Sequence, residues 1–289
     1  MHTDQETSQP TIATLLKVSA NVLKQTSTSA RLDAEVLLAH VLQKSRVQLY
    51  GASTDTVEPE PTEQFIQLVH KRREGRPVAH LVGSREFWSL GLTVTADTLI
   101  PRPETELLVE CALTRISERA RADVLDLGTG SGAVALAIAK ERPNANLTAT
   151  DLSEEALEVA RFNAVALGLN KIRFFSGDWF GAVLGKRFST IVSNPPYVTE
   201  REFKLRDFEL HHEPSMALLG GGKDGLAAIR LIVGRASENL TPGGWMLIEH
   251  GFRQGPAVAR LFQQAGFESI STYRDMPGHP RVTEGTLGN

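Results

Sequence analysis

Apolar residues recur at helical spacing in the first quarter of the chain, then alternate between strand-like and helix-like runs over the last two thirds. Over residues 11–26, Ile12, Leu15, Leu16, Val22 and Leu23 fall on one helical face. A second helix is predicted over 29–43, with Leu32, Val36, Leu37, Val41 and Leu42 as its buried stripe. Pro59 and Pro61 interrupt the pattern. Pro61 suits the first turn of a third helix that carries Phe65, Ile66, Leu68 and Val69 and ends near Gly75. Residues 1–10 read as a loose tail. Over 77–100, Val78, Leu81, Phe87, Leu92 and Val94 sit among Gly83 and Gly91, which predicts a short β-hairpin linker. A helix follows over about 104–119.

From Arg121 the chain reads as alternating strand and helix. Strands are predicted at 124–127, 146–150, 172–175, 190–192 and 245–249. Helices are predicted at 133–140, 153–167 with Ser153 as N-cap, and 226–239. Such alternation implies an α/β fold, a doubly wound and mostly parallel sheet with helices on both faces, whose ligands sit at the carboxyl ends of the strands. The expected domains are thus a small N-terminal all-helical domain over 1–75, the hairpin linker over 76–100, and the α/β domain over 101–289.

Two loops at predicted strand ends carry the chemistry. Asp126-Leu127-Gly128-Thr129-Gly130-Ser131-Gly132 leaves a strand and opens a helix, and its glycines allow close backbone approach to a ligand. With Ala133 it satisfies G-x-G-x-x-A, so the loop alone fits a methyl donor or a nicotinamide cofactor equally. Asp151 ends the next strand, where a carboxylate accepts from both ribose hydroxyls of either cofactor, or simply complements a helix N-terminus. Two roles are open for Asp126, facing a donor's ammonium or bracing the loop. Asp178 and Trp179 follow the third strand, placed to meet an adenine by its exocyclic amine and its face, or to pack the loop.

Ser193-Asn194-Pro195-Pro196-Tyr197 decides between the cofactors. Two prolines fix two φ angles, and Pro195 also holds Asn194 extended, so the segment is a rigid presentation loop. The Asn194 carboxamide oxygen and a backbone carbonyl, that of Pro195, accept the two protons of a planar –NH2, while Tyr197 stacks on its face. Such a nitrogen is a poor nucleophile because its lone pair is delocalised. Two acceptors favour its pyramidal form, and the remaining task is positioning. Hydride transfer has no use for this device. The expected reaction is methyl transfer from S-adenosylmethionine to a planar nitrogen.

In sequence order, Arg85-Glu86-Phe87-Trp88, Ile100-Pro101-Arg102-Pro103-Glu104-Thr105-Glu106, Asp126–Gly132, Asp178-Trp179-Phe180, Ser193–Tyr197, Glu213-Pro214, Gly221–Leu226 and Glu249-His250-Gly251 resemble the release factor glutamine methyltransferases, the PrmC/HemK family. The resemblance implies the class I S-adenosylmethionine-dependent methyltransferase fold. It also implies methylation of the glutamine amide in the Gly-Gly-Gln motif of class 1 peptide-chain release factors. By it, Gly128, Thr129, Gly130, Ser131, Gly132, Asp151 and Trp179 line the donor pocket. Asn194, Pro195, Pro196 and Tyr197 hold the glutamine, with Asn194 also bordering the donor. Arg102 and Glu104 form walls beside both, and the helical domain docks the release factor.

Bulk properties narrow the remaining choices. The chain has 289 residues and a net charge of −3, without the basic excess of a duplex-gripping protein. This weighs against the rival reading, an adenine-N6 or guanine-N2 nucleic-acid methyltransferase acting on a flipped base, and no direct nucleic-acid contact is expected. Cys111 is the single cysteine, which excludes an intramolecular disulfide. The opening MHTDQETSQP lacks the order of a secretory leader, and no apolar run approaches a membrane span, so a cytoplasmic chain is expected. No metal is expected, because His211 and His212 beside Glu213 point to opposite sides of an extended segment. His250, at a strand end, reads as a packing or hydrogen-bonding residue with a catalytic role also open, Cys111 as core, and Lys71-Arg72-Arg73 as a solvated helix end or a partner contact.

Overall fold

The computed structural model describes residues 9–205 and 208–288, so most of the tail read over 1–10 lies outside the described residues. The chain divides into two compact units, residues 1–83 and 84–289.

The first unit is helical. It contains α1 (Ile12–Leu23), α2 (Ala30–Val41), α3 (Arg46–Gly51), α4 (Pro59–Arg73) and α5 (Val78–Val82). Thr11 caps α1 by accepting from the Thr14 N–H. Ile12, Leu15, Leu16 and Leu23 are buried as their spacing predicts. The face of α2 differs from the expected stripe. Leu32 is 43% exposed, while Asp33 and Glu35 are buried. Ion pairing explains the rotation. Asp33 accepts from Arg72 Nε at 2.7 Å, and Glu35 accepts from Arg31, Arg46 and the Tyr50 hydroxyl. Buried charges persist only when paired, and these are. The α3 helix carries a reciprocal Ser45/Gln48 capping box. Residues 78–82 form a helical turn that ends on Gly83, so the hairpin is confined to β1 (Ser84–Phe87) and β2 (Leu90–Thr93).

The second unit is a seven-stranded sheet in the order β5-β4-β3-β6-β7-β9-β8. Its strands are β3 (Asp123–Leu127), β4 (Asn146–Asp151), β5 (Arg173–Ser176), β6 (Phe188–Ser193), β7 (Leu240–Glu249), β8 (Phe267–Arg274) and β9 (Pro280–Leu287). The first five are parallel, and β9 runs antiparallel between β7 and β8. The α/β reading is therefore met, with an antiparallel end that the sequence reading did not reach. Apolar clusters lie on both faces of the sheet, one built around Leu136 and Leu108, the other around Ile232 and Phe262. The helices are α6 (Glu106–Arg115), α7 (Ala133–Glu141), α8 (Glu154–Ala166), α9 (Glu200–Leu205), α10 (Ser215–Leu218), α11 (Ala227–Asn239) and α12 (Gly255–Gln264). Strand order reverses at β3, with β4 on one side and β6 on the other, and a crevice at that switch point is where open α/β sheets bind ligands.

Register then fixes the site. Leu127 pairs with Thr150 on one side and Ser193 on the other, and Ser193 pairs with Ile248. Gly128, Asp151, Asn194 and Glu249, each one residue further on, therefore emerge side by side along the carboxyl edge. Buried Asn163 of α8 ties this edge to the hairpin. Its amide accepts from Thr93 N–H and donates to the carbonyls of Thr93 and Ser131.

Candidate active site

Gly132 ends the glycine loop with φ +87°, and a Cβ there would meet Leu136 Cδ1 at 3.0 Å and Ala160 Cβ at 3.2 Å. Its lack of a side chain lets α7 and α8 close together beneath the loop. Asp126 lies below the same loop, 1% exposed. It accepts from Thr129 Oγ1 at 2.7 Å and from the Ala135 N–H, and burial pushes its carboxyl up to about 7. Of its two open roles, these bonds are the ones that bracing the loop requires.

Asp151 holds the loop from the side. Its Oδ2 accepts from Gly130 N–H at 2.8 Å and its Oδ1 from Ser153 N–H at 3.0 Å. Burial raises its pKa against these stabilising bonds. A cavity of about 360 Å³ opens above, walled by Gly128, Gly130, Asp151, Asp178, Trp179 and Met216 among others. Trp179 sits at φ +46°, a left-handed conformation uncommon for a bulky residue. Its ring lies 3.4 Å from where a Cβ on Gly128 would stand, so the indole rests on the glycine loop. Thr129, Ser131 and Gly132, expected to line the donor pocket, do not wall this cavity, nor do Asp126 or Asn194.

A second cavity, about 120 Å³, is walled by Arg102, Glu104, Asn194, Pro195, Pro196, Tyr197, Glu249 and Arg281. Both cavities share Leu99, Pro196 and Ala217, so they meet across one wall. The expected acceptor loop is thus gathered in one place, with Arg102 and Glu104 beside it. Glu213 explains how the 100–104 segment is held. It is buried, accepts from Ile100 N–H at 3.0 Å and pairs with the Arg102 guanidinium.

Several residues here have no role that sequence reasoning assigns. Glu249 is 1% exposed and accepts from the Tyr197 hydroxyl at 3.1 Å. Burial pushes its carboxyl up to about 7, offset by the Thr105 and Tyr197 hydroxyls and by Arg281. An acid closing the apolar run Met246–Ile248 was the available signal. Gln254 Nε2 donates to the Tyr197 carbonyl at 3.0 Å and to the Asp224 carbonyl at 2.8 Å. Gly220 lies against the acceptor loop so closely that a Cβ would stand 2.7 Å from the Pro196 oxygen and 2.0 Å from the Gly225 oxygen.

His250 is fully buried. Its Nδ1 lies 3.0 Å from the Gly251 carbonyl and its Nε2 2.9 Å from Thr283 Oγ1. A carbonyl only accepts, so Nδ1 carries the proton and Nε2 accepts from threonine, and burial lowers the pKa towards this neutral form. That is a packing role. Cys111 is buried, with its thiol pushed up to about 12 by burial and by Glu284 and Glu110. Among the described residues no group of three or more metal-ligating side chains gathers, and no helix is long and apolar enough to cross a membrane.

Comparison with known proteins places this geometry. The family model described as Methyltransferase small domain matches residues 103–213, and the PrmC N-terminal domain matches residues 14–83. The chain is 48% identical over 255 residues to the release factor glutamine methyltransferase of Xylella fastidiosa strain Temecula1, covering 88% of this chain and 92% of that one. The chain belongs to the release factor glutamine methyltransferase family. A second member, from Escherichia coli K12, is 43% identical over 261 residues, covering 90% of this chain and 94% of that one. A solved methyltransferase from Pyrococcus furiosus matches with TM-score 0.53 and 21% identity, over 69% of this chain and 90% of that one, which speaks to the fold. Membership of this family agrees with the acceptor loop found at the smaller cavity.

Proposed function

We propose that this chain transfers a methyl group from S-adenosylmethionine to the side-chain amide nitrogen of the glutamine in the Gly-Gly-Gln motif of class 1 peptide-chain release factors. The observation that carries the reading is the shared wall of Leu99, Pro196 and Ala217 between a nucleoside-sized cavity and a small polar one. The residues of the larger cavity fit the donor chemically. Gly128 and Gly130 leave room for a ligand against the backbone, Asp151 offers spare lone pairs to ribose hydroxyls, and Asp178 and Trp179 meet an adenine. When bound, S-adenosylmethionine supplies an electrophilic methyl on a sulfonium.

The chain's own residues do the rest. Asn194 Oδ1 and the Pro195 carbonyl accept the two amide protons, and Tyr197 stacks on the amide plane. This draws the nitrogen lone pair out of conjugation and aims it across the shared wall. Catalysis is then chiefly a matter of orientation within a site that needs no resting base. The nitrogen would gain the methyl as the carbon–sulfur bond breaks with its electron pair left on sulfur, and would give up one proton to water. Arg102 and Glu104 bound the glutamine side chain. The helical unit over 1–83 docks the release factor, and the enzyme works in the cytoplasm beside its substrate.

The test is methyl transfer from labelled donor to purified release factor, with peptide mapping. Label on the Gly-Gly-Gln glutamine is expected. Label on DNA or ribosomal RNA, with none on the release factor, would move the assignment to the nucleic-acid reading.

A further inference from the structure

Asn194 and Glu249 stand next to each other at the carboxyl edge, because Ser193 pairs with Ile248 across β6 and β7. Thr105, at the end of the 3-10 turn Pro103–Thr105, reaches both and is 3% exposed. Asn194 Nδ2 donates to Thr105 Oγ1 at 3.1 Å. The Thr105 hydroxyl also bears on the Glu249 carboxyl and stabilises its charge. Glu249 Oε1 is taken by Tyr197, while Oε2 is buried and reaches no partner at full hydrogen-bond geometry.

The chemistry of a hydroxyl makes this arrangement directional. Threonine has one proton and two lone pairs, and Glu249 in its ionised form, the form that dominates above about pH 7, only accepts. Once the Thr105 proton is committed to Glu249, only lone pairs face Asn194. The carboxamide must then turn its NH2 to Thr105 and its oxygen away from it. A carboxamide without such a partner turns over freely, and the inverted form offers a donor where an acceptor is needed. Two NH2 groups would then face each other, and the incoming amide would seat with its oxygen inwards.

We propose that Thr105, held by Glu249, is a positioning residue that fixes the Asn194 carboxamide with its oxygen presented to the acceptor nitrogen. The proposal rests on the reading that Asn194 Oδ1 accepts a substrate N–H. Thr105 itself touches neither substrate nor donor. Glu249 acts through it, and Tyr197 occupies the other carboxylate oxygen, so one buried acid orients both side chains of the acceptor loop. Thr105 lies in the Ile100–Glu106 stretch that carries the family resemblance, but its spacing and residue type alone give it no role.

The test uses the full chain with intact release factor as substrate. Thr105→Val keeps the shape and removes the hydroxyl. It is expected to lower kcat by about tenfold to a hundredfold, with KM for the release factor and donor Kd within about twofold. Thr105→Ser is expected to restore kcat to within about threefold of the parent. Wild-type kcat in Thr105→Val, or a Thr105→Ser as slow as Thr105→Val, overturns the proposal. A fall in KM affinity without a fall in kcat also overturns it. Glu249→Gln gives an independent approach should the valine variant fold poorly. Its kcat falls at unchanged KM, and the double variant with Thr105→Ala is no slower than Glu249→Gln alone; a further drop overturns the relay. Asn194→Ala serves as the reference. If it turns over normally, the acceptor reading itself fails, whereas a dead Asn194→Ala beside a normal Thr105→Val removes only the positioning role.

Discussion

The backbone N–H of Gly130 donates to Asp151 Oδ2 at 2.8 Å, so the carboxylate that ends β4 also sets the glycine loop that ends β3. Asp151 also walls the larger cavity. Asp151→Ala removes both the brace and the acceptor, and donor affinity should fall by about tenfold to a hundredfold, with Asp151→Asn between it and the parent. Calorimetric titration with S-adenosylmethionine measures this. Equal affinity in all three would limit Asp151 to holding backbone.

Asn194 walls the smaller cavity and not the larger, so its removal should separate turnover from donor binding. Asn194→Ala is expected to lower kcat about a hundredfold or more while donor Kd stays within about twofold. Steady-state methylation together with titration gives both numbers. A variant that loses donor affinity instead would place Asn194 in the donor site.

In the parallel half of the sheet, β3, β4 and β6 are legible because each closes on a chemically marked loop, at Asp126, Asp151 and Asn194. The antiparallel end is not. β9 is buried between β7 and β8 yet carries Thr283 and Glu284, and Glu284 is tolerated there because Arg115 and the Tyr273 hydroxyl pair with it. β8 shows little alternation because most of its residues are exposed at the sheet edge. The buried face of α2 departs from its apolar stripe for a related reason. Asp33 and Glu35 face inward, and only partners distant in sequence, Arg72 and Tyr50, make that possible. At the site, the loops announced themselves, whereas Thr105, Glu249 and Gln254 act through contacts that span 52 to 89 residues.

Gly220 seats the return strand of chain from α10 directly on the acceptor loop. A Cβ there meets three backbone atoms, at 2.0 Å from Gly225 O, 2.7 Å from Pro196 O and 2.7 Å from Tyr197 Cα. Backbone cannot give way as a side chain can, so Gly220→Ala should displace the loop. The expected result is loss of nearly all turnover with donor binding retained, and a stability cost of about 1–3 kcal/mol. A Gly220→Ala variant with parental kcat would mean that the loop tolerates this displacement.

In the helical unit, Arg72 is 3% exposed and its Nε donates to Asp33 at 2.7 Å. Asp33→Ala leaves a buried guanidinium short of its carboxylate, and about 3–5 kcal/mol of stability should be lost. Because Asp33 lies far along the chain from either cavity, donor binding should persist while methylation of the release factor falls at temperatures that melt the unit. Urea unfolding and parallel activity curves test this. Unchanged methylation with the unit melted would remove its docking role.

Burial raises the Glu249 carboxyl from 4.5 to about 7, which gives stability a defined pH dependence. Between these values the folded chain binds a proton that the unfolded chain has released. Stability from this group is therefore full below about 4.5 and is lost as pH rises towards 7, by about 3 kcal/mol at most. Asp126, raised from 3.8 to about 7, acts in the same direction. His250 opposes them, since burial lowers its pKa and the neutral ring gains stability as pH rises towards the ordinary value of 6.5. Groups held down, such as Asp224 beside Arg230 and Glu35 beside Tyr50, lose their contribution only at lower pH, below the ordinary carboxylate range. A difference between variants isolates Glu249. Relative to the parent, Glu249→Gln should gain Tm as pH goes from 5 to 8, because glutamine never ionises. Thermal unfolding of the two proteins across that range measures the gap, and parallel curves would mean that the Glu249 carboxyl ionises as readily in the folded chain as in the unfolded one.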